Sequence, residues 1–202
     1  QPSEEAYNFA ELDAAVKRVT EQGMAICMAT STGAHPAWMA KRYPEVLRTD
    51  FEGRRRKYGG RHNSCPNSPV FKKYAKRLAG KLAEHFREQK NIVLWHVSNE
   101  YEGACYCENC EKAFRVWLKK RYGTIDNLNR LWNTRFWGHT FYDWDEIVAP
   151  SMVSEHFEEA RSMYQAITLD YKRFNSDSML ANYRAEAEAI RQLAEGEAQA
   201  TL

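Results

Sequence analysis

The stretch from Asn91 to Cys110, NIVLWHVSNEYEGACYCENC, constrains the fold more than any other. Ile92, Val93, Leu94, Trp95 and Val97 make a near-continuous apolar run without alternation. That is the pattern of a strand buried on both faces of a parallel sheet covered by helices. Ser98, Asn99 and Glu100 then fall at the C-terminal end of the strand. In parallel-strand folds the loops converge at that end, so ligands and chemistry collect there.

The flanking sequence supplies the helices that such a strand needs. Phe9, Leu12, Val16 and Val19 recur at helical spacing, and Gly23 closes that helix. A second short apolar run, Met24–Thr30, reads as a second parallel strand, with Cys27 inside it as a small buried hydrophobe. From Ser31 to Asn67 no period is sustained, and a loop of that length in a compact domain is usually functional. Ser68 and Pro69 read as an N-cap followed by proline at the first helical position. Phe71, Tyr74, Leu78, Leu82 and Phe86 then line one helix face. The order predicts an α/β fold in which the two strands are adjacent and parallel, joined by a right-handed crossover through the helix that begins at Ser68. Beyond the cysteines, Glu108–Tyr122 predicts an amphipathic helix ended by Gly123. Thr124 caps a short helix to about Trp132, and residues 133–150 form an aromatic-rich loop. Met152–Leu193 predicts one long helix or two, with Phe157, Ala160, Tyr164, Ile167, Tyr171 and Ile190 among the apolar positions. Glu195–Leu202 lacks an apolar run fit for another strand.

A chain of 202 residues is enough for one core, and the formal charge of +2 is close to balanced. Bulk electrostatics therefore gives no reason to expect a nucleic-acid or membrane partner. The run Arg54–Arg56 reads as a solvated loop. No apolar run approaches the ~20 residues of a membrane span, and no signal peptide opens the chain. The expectation is a soluble, cytoplasmic protein. The odd count of five cysteines, clustered more tightly than disulfide frameworks, favours a reducing compartment with metal ligation.

Cys105, Cys107 and Cys110 form C-x-C-x2-C at a loop-to-helix junction, and Cys65 sits in the earlier long loop. Four soft thiolates from two neighbouring loops suit tetrahedral structural zinc; free thiols or a disulfide from Cys65 to one of the three are the alternatives. Glu100 at the end of a buried strand, beside Trp95 and Tyr101, is placed to have a raised pKa and act as a general acid; a structural carboxylate is the bland reading. Asn99 is placed to hydrogen-bond a substrate hydroxyl. Arg61 and His62 either meet sugar hydroxyls at the site mouth or make surface ion pairs. Trp137 is either a stacking wall for a sugar ring or core packing. There is no Gly-rich phosphate loop, no G-x-S-x-G and no nucleophile–His pair.

Five runs carry a family resemblance: Ala29–Leu47 (ATSTGAHPAWMAKRYPEVL), Gly59–Pro69 (GGRHNSCPNSP), Trp95–Tyr101 (WHVSNEY), Cys105–Cys110 (CYCENC) and Arg130–Ile147 (RLWNTRFWGHTFYDWDEI). In these the chain resembles the glycoside hydrolases of family 42, the β-galactosidases, over about residues 1–193. The resemblance implies a (β/α)8 TIM barrel of which about two parallel strands are identifiable, and retaining hydrolysis of terminal β-D-galactosides. It implies Glu100 as acid/base, Arg61 and Asn99 as sugar-binding, Trp137 lining the pocket, zinc on Cys65, Cys105, Cys107 and Cys110, and a homo-oligomer, a trimer by the family's habit. The departures are equally informative. The chain begins after the family's first two strands and stops before its fifth, and residues 195–202 depart from the family pattern. A retaining glycosidase needs a second carboxylate about 5 Å from the first. Asp50, Glu102, Asp143 and Asp145 are the candidates here, and none follows a strand. The expectation is a single segment, 1–202, of a glycosidase catalytic domain that carries the acid/base and zinc residues but no nucleophile and is inactive alone. The alternative is a zinc-braced, non-catalytic fragment or an engineered scaffold.

Overall fold

Three parallel strands, β1 (Ile26–Ala29), β2 (Ile92–His96) and β3 (Gln199–Thr201), form one sheet in the order β1-β2-β3. The computed structural model describes residues 1–154, 165–193 and 199–201, the side chains of Trp137 and of residues 199–201 excepted. Helix α1 (Ala10–Glu21) precedes β1 and ends before Gly23, whose φ of +69° lets the chain turn back toward the sheet. Helix α3 (Pro69–His85) joins β1 to β2, which are adjacent and parallel as expected. Its start is set by chemistry: the Ser68 hydroxyl accepts from the Phe71 amide, and Pro69 occupies a position whose N–H would have no partner in any case. Helices α4 (Glu108–Tyr122) and α5 (Ile125–Trp132) follow β2, with Thr124 capping α5, and α6 (Gln165–Leu193) completes the helical layer. No described helix is long and apolar enough to cross a membrane.

Three cores result, the smallest of them Met39, Ala40, Val46 and Leu47 of the long loop with Tyr74 of α3. In the first of the other two, Met28, Trp95 and Val97 pack against Val16 of α1, Leu82 and Ala83 of α3, and Ala187 and Ile190 of α6. The second surrounds the cysteines, where Phe114, Leu118, Leu128, Trp132, Tyr171 and Phe174 close over Cys65, Cys105 and Cys110. Its aromatic rings are in contact: Tyr106 stacks on Tyr171 with centroids 5.2 Å apart, and Phe114 meets Tyr171 edge-on at 4.9 Å.

Several expectations change. The apolar strand runs are buried on one face rather than both. Helices cover the Met28–Trp95 side, while Cys27 and Ala29 are exposed and their partners Leu94 and His96 are half-buried. Cys27 is therefore not a buried hydrophobe, because no helix among the described residues lies against its face. The long loop contains helix α2 (Ala37–Arg42), a 3-10 turn at Pro44–Val46 and two isolated bridges, Leu47–Ser64 and Thr49–Arg55. Six residues are too few to display a helical period, so this helix left no trace in the apolar pattern. After Met152 the described helix starts at Gln165; Phe157, Ala160 and Tyr164 lie outside the described residues. Residues 199–201 do form a strand, although no apolar run marks one, because the backbone alone supplies the ladder bonds to β2. Residues 195–198 lie outside the described residues.

The asymmetry of the sheet is testable. Trp95, 1% exposed, is expected to cost roughly 3–5 kcal/mol when changed to Ala. Cys27→Ala, on the open face, should change stability by less than about 0.5 kcal/mol. Urea unfolding of the two variants, read by tryptophan-independent far-UV circular dichroism, checks both.

Candidate active site and thiol cluster

The backbone after β2 enters a strained turn. Ser98 and Glu100 have φ of 56° and 41°, the left-handed region that side chains with a Cβ rarely adopt. Such conformers persist where the surroundings over-determine them. Here the Ser98 amide donates to Thr30 Oγ1 at 2.8 Å, tying the end of β2 to the end of β1. Thr30 and Thr32 in turn donate to Glu186 Oε2 at 3.2 and 2.6 Å. The turn leaves Asn99 half-buried and projects the Glu100 carboxylate into solvent.

Arg61 Nη2 donates to Glu100 Oε2 at 2.8 Å, and Arg61 Nε lies 3.7 Å from Glu102. The structure thus brings together Arg61, Asn99 and Glu100 from two loops. It corrects the electrostatics: hydrogen bonding and charge from Arg61 hold the Glu100 carboxyl below the usual carboxylate range, where a raised value was expected. The reason is exposure, since water solvates the ionised form and a guanidinium faces it. His62 does not reach the mouth. It is buried at φ 51°, and desolvation lowers its pKa. Trp137 lies in the 3-10 turn Phe136–Gly138, and its side chain is outside the described residues.

The second-carboxylate candidates have other work. Asp50 pairs with Arg54 at 3.0 Å, Asp143 forms a capping box with Glu146, and Asp145 stands 3.7 Å from Arg115. Among the described residues only Glu102 shares a cation with Glu100. A concave surface of about 770 Å³ runs between α1 and the exposed edge of β1, and neither Glu100 nor Arg61 lines it. It is an uncovered sheet edge more than a catalytic pocket.

Cys65, Cys105, Cys107 and Cys110 converge: their Sγ atoms all lie within 4.8 Å of one another, and Cys65 stands 3.4 Å from both Cys107 and Cys110. No disulfide joins them in this structure. Cys65 Sγ and Cys110 Sγ are buried, and Asn67 Nδ2 donates to Cys110 Sγ at 3.4 Å. Hydrogen bonds among the thiols, with Cys105 foremost, depress the Cys107 thiol and push Cys65 up. Four such donors have the identity and spacing to hold a metal ion.

Sequence reasoning missed the buried polar group behind the turn. Glu186, 2% exposed, lies on the inward stripe of α6 in register with Phe174, Ser178, Asn182 and Ile190. A glutamate at an apolar helical position was the available signal. The Tyr101 hydroxyl is close enough to feel the charge of Glu186 but makes no hydrogen bond of good geometry. Burial raises the Glu186 carboxyl to about 7, against the bonds from Thr32 and Thr30. Because the folded value lies above the unfolded one, the native state binds more protons between the usual carboxylate pKa and about 7, so this group lowers stability as pH rises through that window. The loss should be on the order of 3 kcal/mol at most, from ~1.4 kcal/mol per unit. Urea midpoints at pH 5 and pH 8 should differ less in Glu186→Gln than in the wild type.

The comparisons with known proteins bear on all of this. The family described as beta-galactosidase, glycoside hydrolase family 42, matches residues 1–201. Beta-galactosidase BgaP of Planococcus sp. (strain L4) is 59% identical over 191 residues, covering 95% of this chain and 28% of that protein. Beta-galactosidase LacZ of Lactobacillus acidophilus is 44% identical over 193 residues, covering 95% of this chain and 29% of that protein. The crystal structure of beta-galactosidase from Bacillus circulans sp. alkalophilus superposes with a TM-score of 0.95 at 58% identity, over 99% of this chain and 30% of that one. The cold-adapted enzyme from Rahnella sp. R3 gives 0.90 at 36% identity, over 99% and 29%. The chain thus spans less than a third of the length of these relatives, and within that span it belongs to the beta-galactosidases of glycoside hydrolase family 42.

Proposed function

We propose that this chain is the acid/base segment of a retaining β-galactosidase built on a (β/α)8 barrel, with Glu100 as the acid/base. The observation that carries the reading is the Glu100 carboxylate at the C-terminal end of a parallel strand, in a strained turn, with Arg61 2.8 Å away. In the first step a carboxylate outside the described residues attacks the anomeric carbon while Glu100 protonates the departing glycosidic oxygen. In the second, Glu100 takes a proton from water as that water releases galactose and frees the nucleophile. Arg61 and Asn99 orient sugar hydroxyls, and Trp137 walls the pocket. An ionised nucleophile about 5 Å from Glu100 would raise its pKa against the pull of Arg61, giving the acid its proton at working pH. Among the described candidates only Glu102 shares Arg61 with Glu100, and it does not itself follow a strand, which favours the companion reading that residues 1–202 alone do not turn over.

The four thiols fit structural zinc. Tetrahedral Zn–S bonds of ~2.3 Å put sulfurs ~3.8 Å apart, inside the spread of this cluster. A closed set of four sulfurs offers no open position, so the ion would brace the loops and take no part in hydrolysis. Metal analysis of protein purified without chelator should find one zinc per chain, and Cys65→Ser should lose it and lower the melting temperature.

The catalytic reading is tested with galactosides of differing leaving group. In the whole enzyme, Glu100→Gln should lower kcat on lactose by ~10²–10⁴-fold. The 202-residue chain should hydrolyse neither lactose nor an aryl galactoside. Turnover by the isolated chain that Glu100→Gln abolishes would put the nucleophile within it and overturn the segment reading.

A further inference from the structure

The carboxylate of Glu186 has no part in the acid/base scheme, yet it is buried directly behind the turn that carries it. Burying a carboxylate is costly unless it is hydrogen-bonded, so a glutamate 2% exposed on the inward stripe of α6 requires a reason. Its partners supply one. Thr30 has a single hydroxyl proton, which it gives to Glu186, and this turns the oxygen's lone pairs toward the Ser98 amide. Thr32 makes the shorter bond to the same carboxylate oxygen and lies 3.1 Å from Thr30 Oγ1, so both hydroxyls are fixed. The chain of bonds runs from α6, through the end of β1, to the first left-handed residue after β2.

We propose that Glu186 is a positioning residue for Glu100: by orienting Thr30 and Thr32 it holds the Ser98 amide, and thereby fixes the turn that aims Asn99 and Glu100. The proposal rests on the acid/base reading of Glu100. The turn contains two non-glycine residues at positive φ, a conformation that relaxes when its anchor is lost. Without an acceptor at position 186, the Thr30 hydroxyl is free to donate to Thr32 and no longer presents a fixed lone pair to Ser98. A shift of about 1 Å in a catalytic group placed this way costs ~10²-fold in rate.

The consequence differs between the two steps. In the first, a misaimed acid slows departure of a poor leaving group such as the glucose of lactose and matters little for a dinitrophenolate that leaves without protonation; the second, in which Glu100 is the base, is common to both substrates and does not enter kcat/KM. The experiment uses the whole enzyme carrying this chain, with Glu186→Leu, Thr30→Val and Thr30→Ser. Glu186→Leu and Thr30→Val are expected to lower kcat/KM, which reports the steps through departure of the leaving group, by ~10²-fold on lactose and by less than ~3-fold on dinitrophenyl β-galactoside. Thr30→Ser, which keeps the hydroxyl, should recover most of the lactose rate. Equal losses of kcat/KM on both substrates, or unchanged kcat/KM on lactose, would overturn the proposal. If Glu186→Leu does not fold, Thr30→Val and Thr30→Ser decide. Amide hydrogen exchange at Ser98 gives a readout independent of turnover: faster exchange in Thr30→Val than in Thr30→Ser supports the anchor, and equal exchange refutes it. Should the wild type hydrolyse no galactoside, the acid/base reading fails first, and the exchange measurement still tells whether this network holds the turn.

Discussion

The C-terminal ends of β1 and β2 open into two loops that must be held side by side, and the rest of the site depends on what ties them. The long loop contributes Cys65, and the segment after β2 contributes Cys105, Cys107 and Cys110, whose sulfurs meet within 4.8 Å. Arg48 adds a second tie, donating from Nε to the Ser64 carbonyl and from Nη1 to the Glu102 carbonyl. Buried against the thiols, Arg48 is pulled in two directions: desolvation lowers its pKa, and the charge of Cys105 opposes the shift. The Tyr106 amide adds a backbone bond between the loops, to the Thr49 carbonyl, while the long loop satisfies much of its own backbone through the Leu47–Ser64 and Thr49–Arg55 bridges. Tyr171 fastens the same region to α6 through its hydroxyl to the Cys105 carbonyl at 2.6 Å.

With the loops held, the turn at Ser98–Glu100 is able to sustain a backbone that an isolated peptide would abandon. Strain of this kind is of the order of 1–3 kcal/mol per residue and survives when neighbours fix it. The stabilising partners lie far off in sequence, on β1 and α6, so the geometry of Glu100 is a property of the assembled sheet and helix layer. A local segment spanning residues 91–110 has neither Thr30 nor Glu186.

Charge at the site follows from the same arrangement. Glu100 stands in solvent with Arg61, and the pair holds the carboxylate ionised; Glu186 stands in the interior and is pushed toward its protonated form. Two glutamates within one network thus have opposite environments. An exposed ion pair contributes little to stability, so Arg61 does little to hold the fold.

Much of this was legible in the sequence. The caps at Ser68 and Thr124, the stops at Gly23 and Gly123, the two main strands and the cysteine cluster all follow from local chemistry: a hydroxyl before a helix, a glycine after one, an unbroken apolar run, thiols at close spacing. The placement of Glu100 at a strand end followed from the same local reasoning. Its protonation tendency did not, because whether a carboxylate faces water and a guanidinium or an apolar wall depends on residues brought in by folding, here Arg61 from 39 positions away. Which face of the sheet is covered, and so the exposure of Cys27, was likewise decided by where α1, α3 and α6 pack. The strand at residues 199–201 carries no apolar signature, since backbone pairing with β2 is what makes it a strand. Most of all, the meeting of Glu186 with Thr30 joins residues 156 positions apart. Neighbouring residues record helical faces and turns, but a contact across the chain exists only once tertiary packing has closed it.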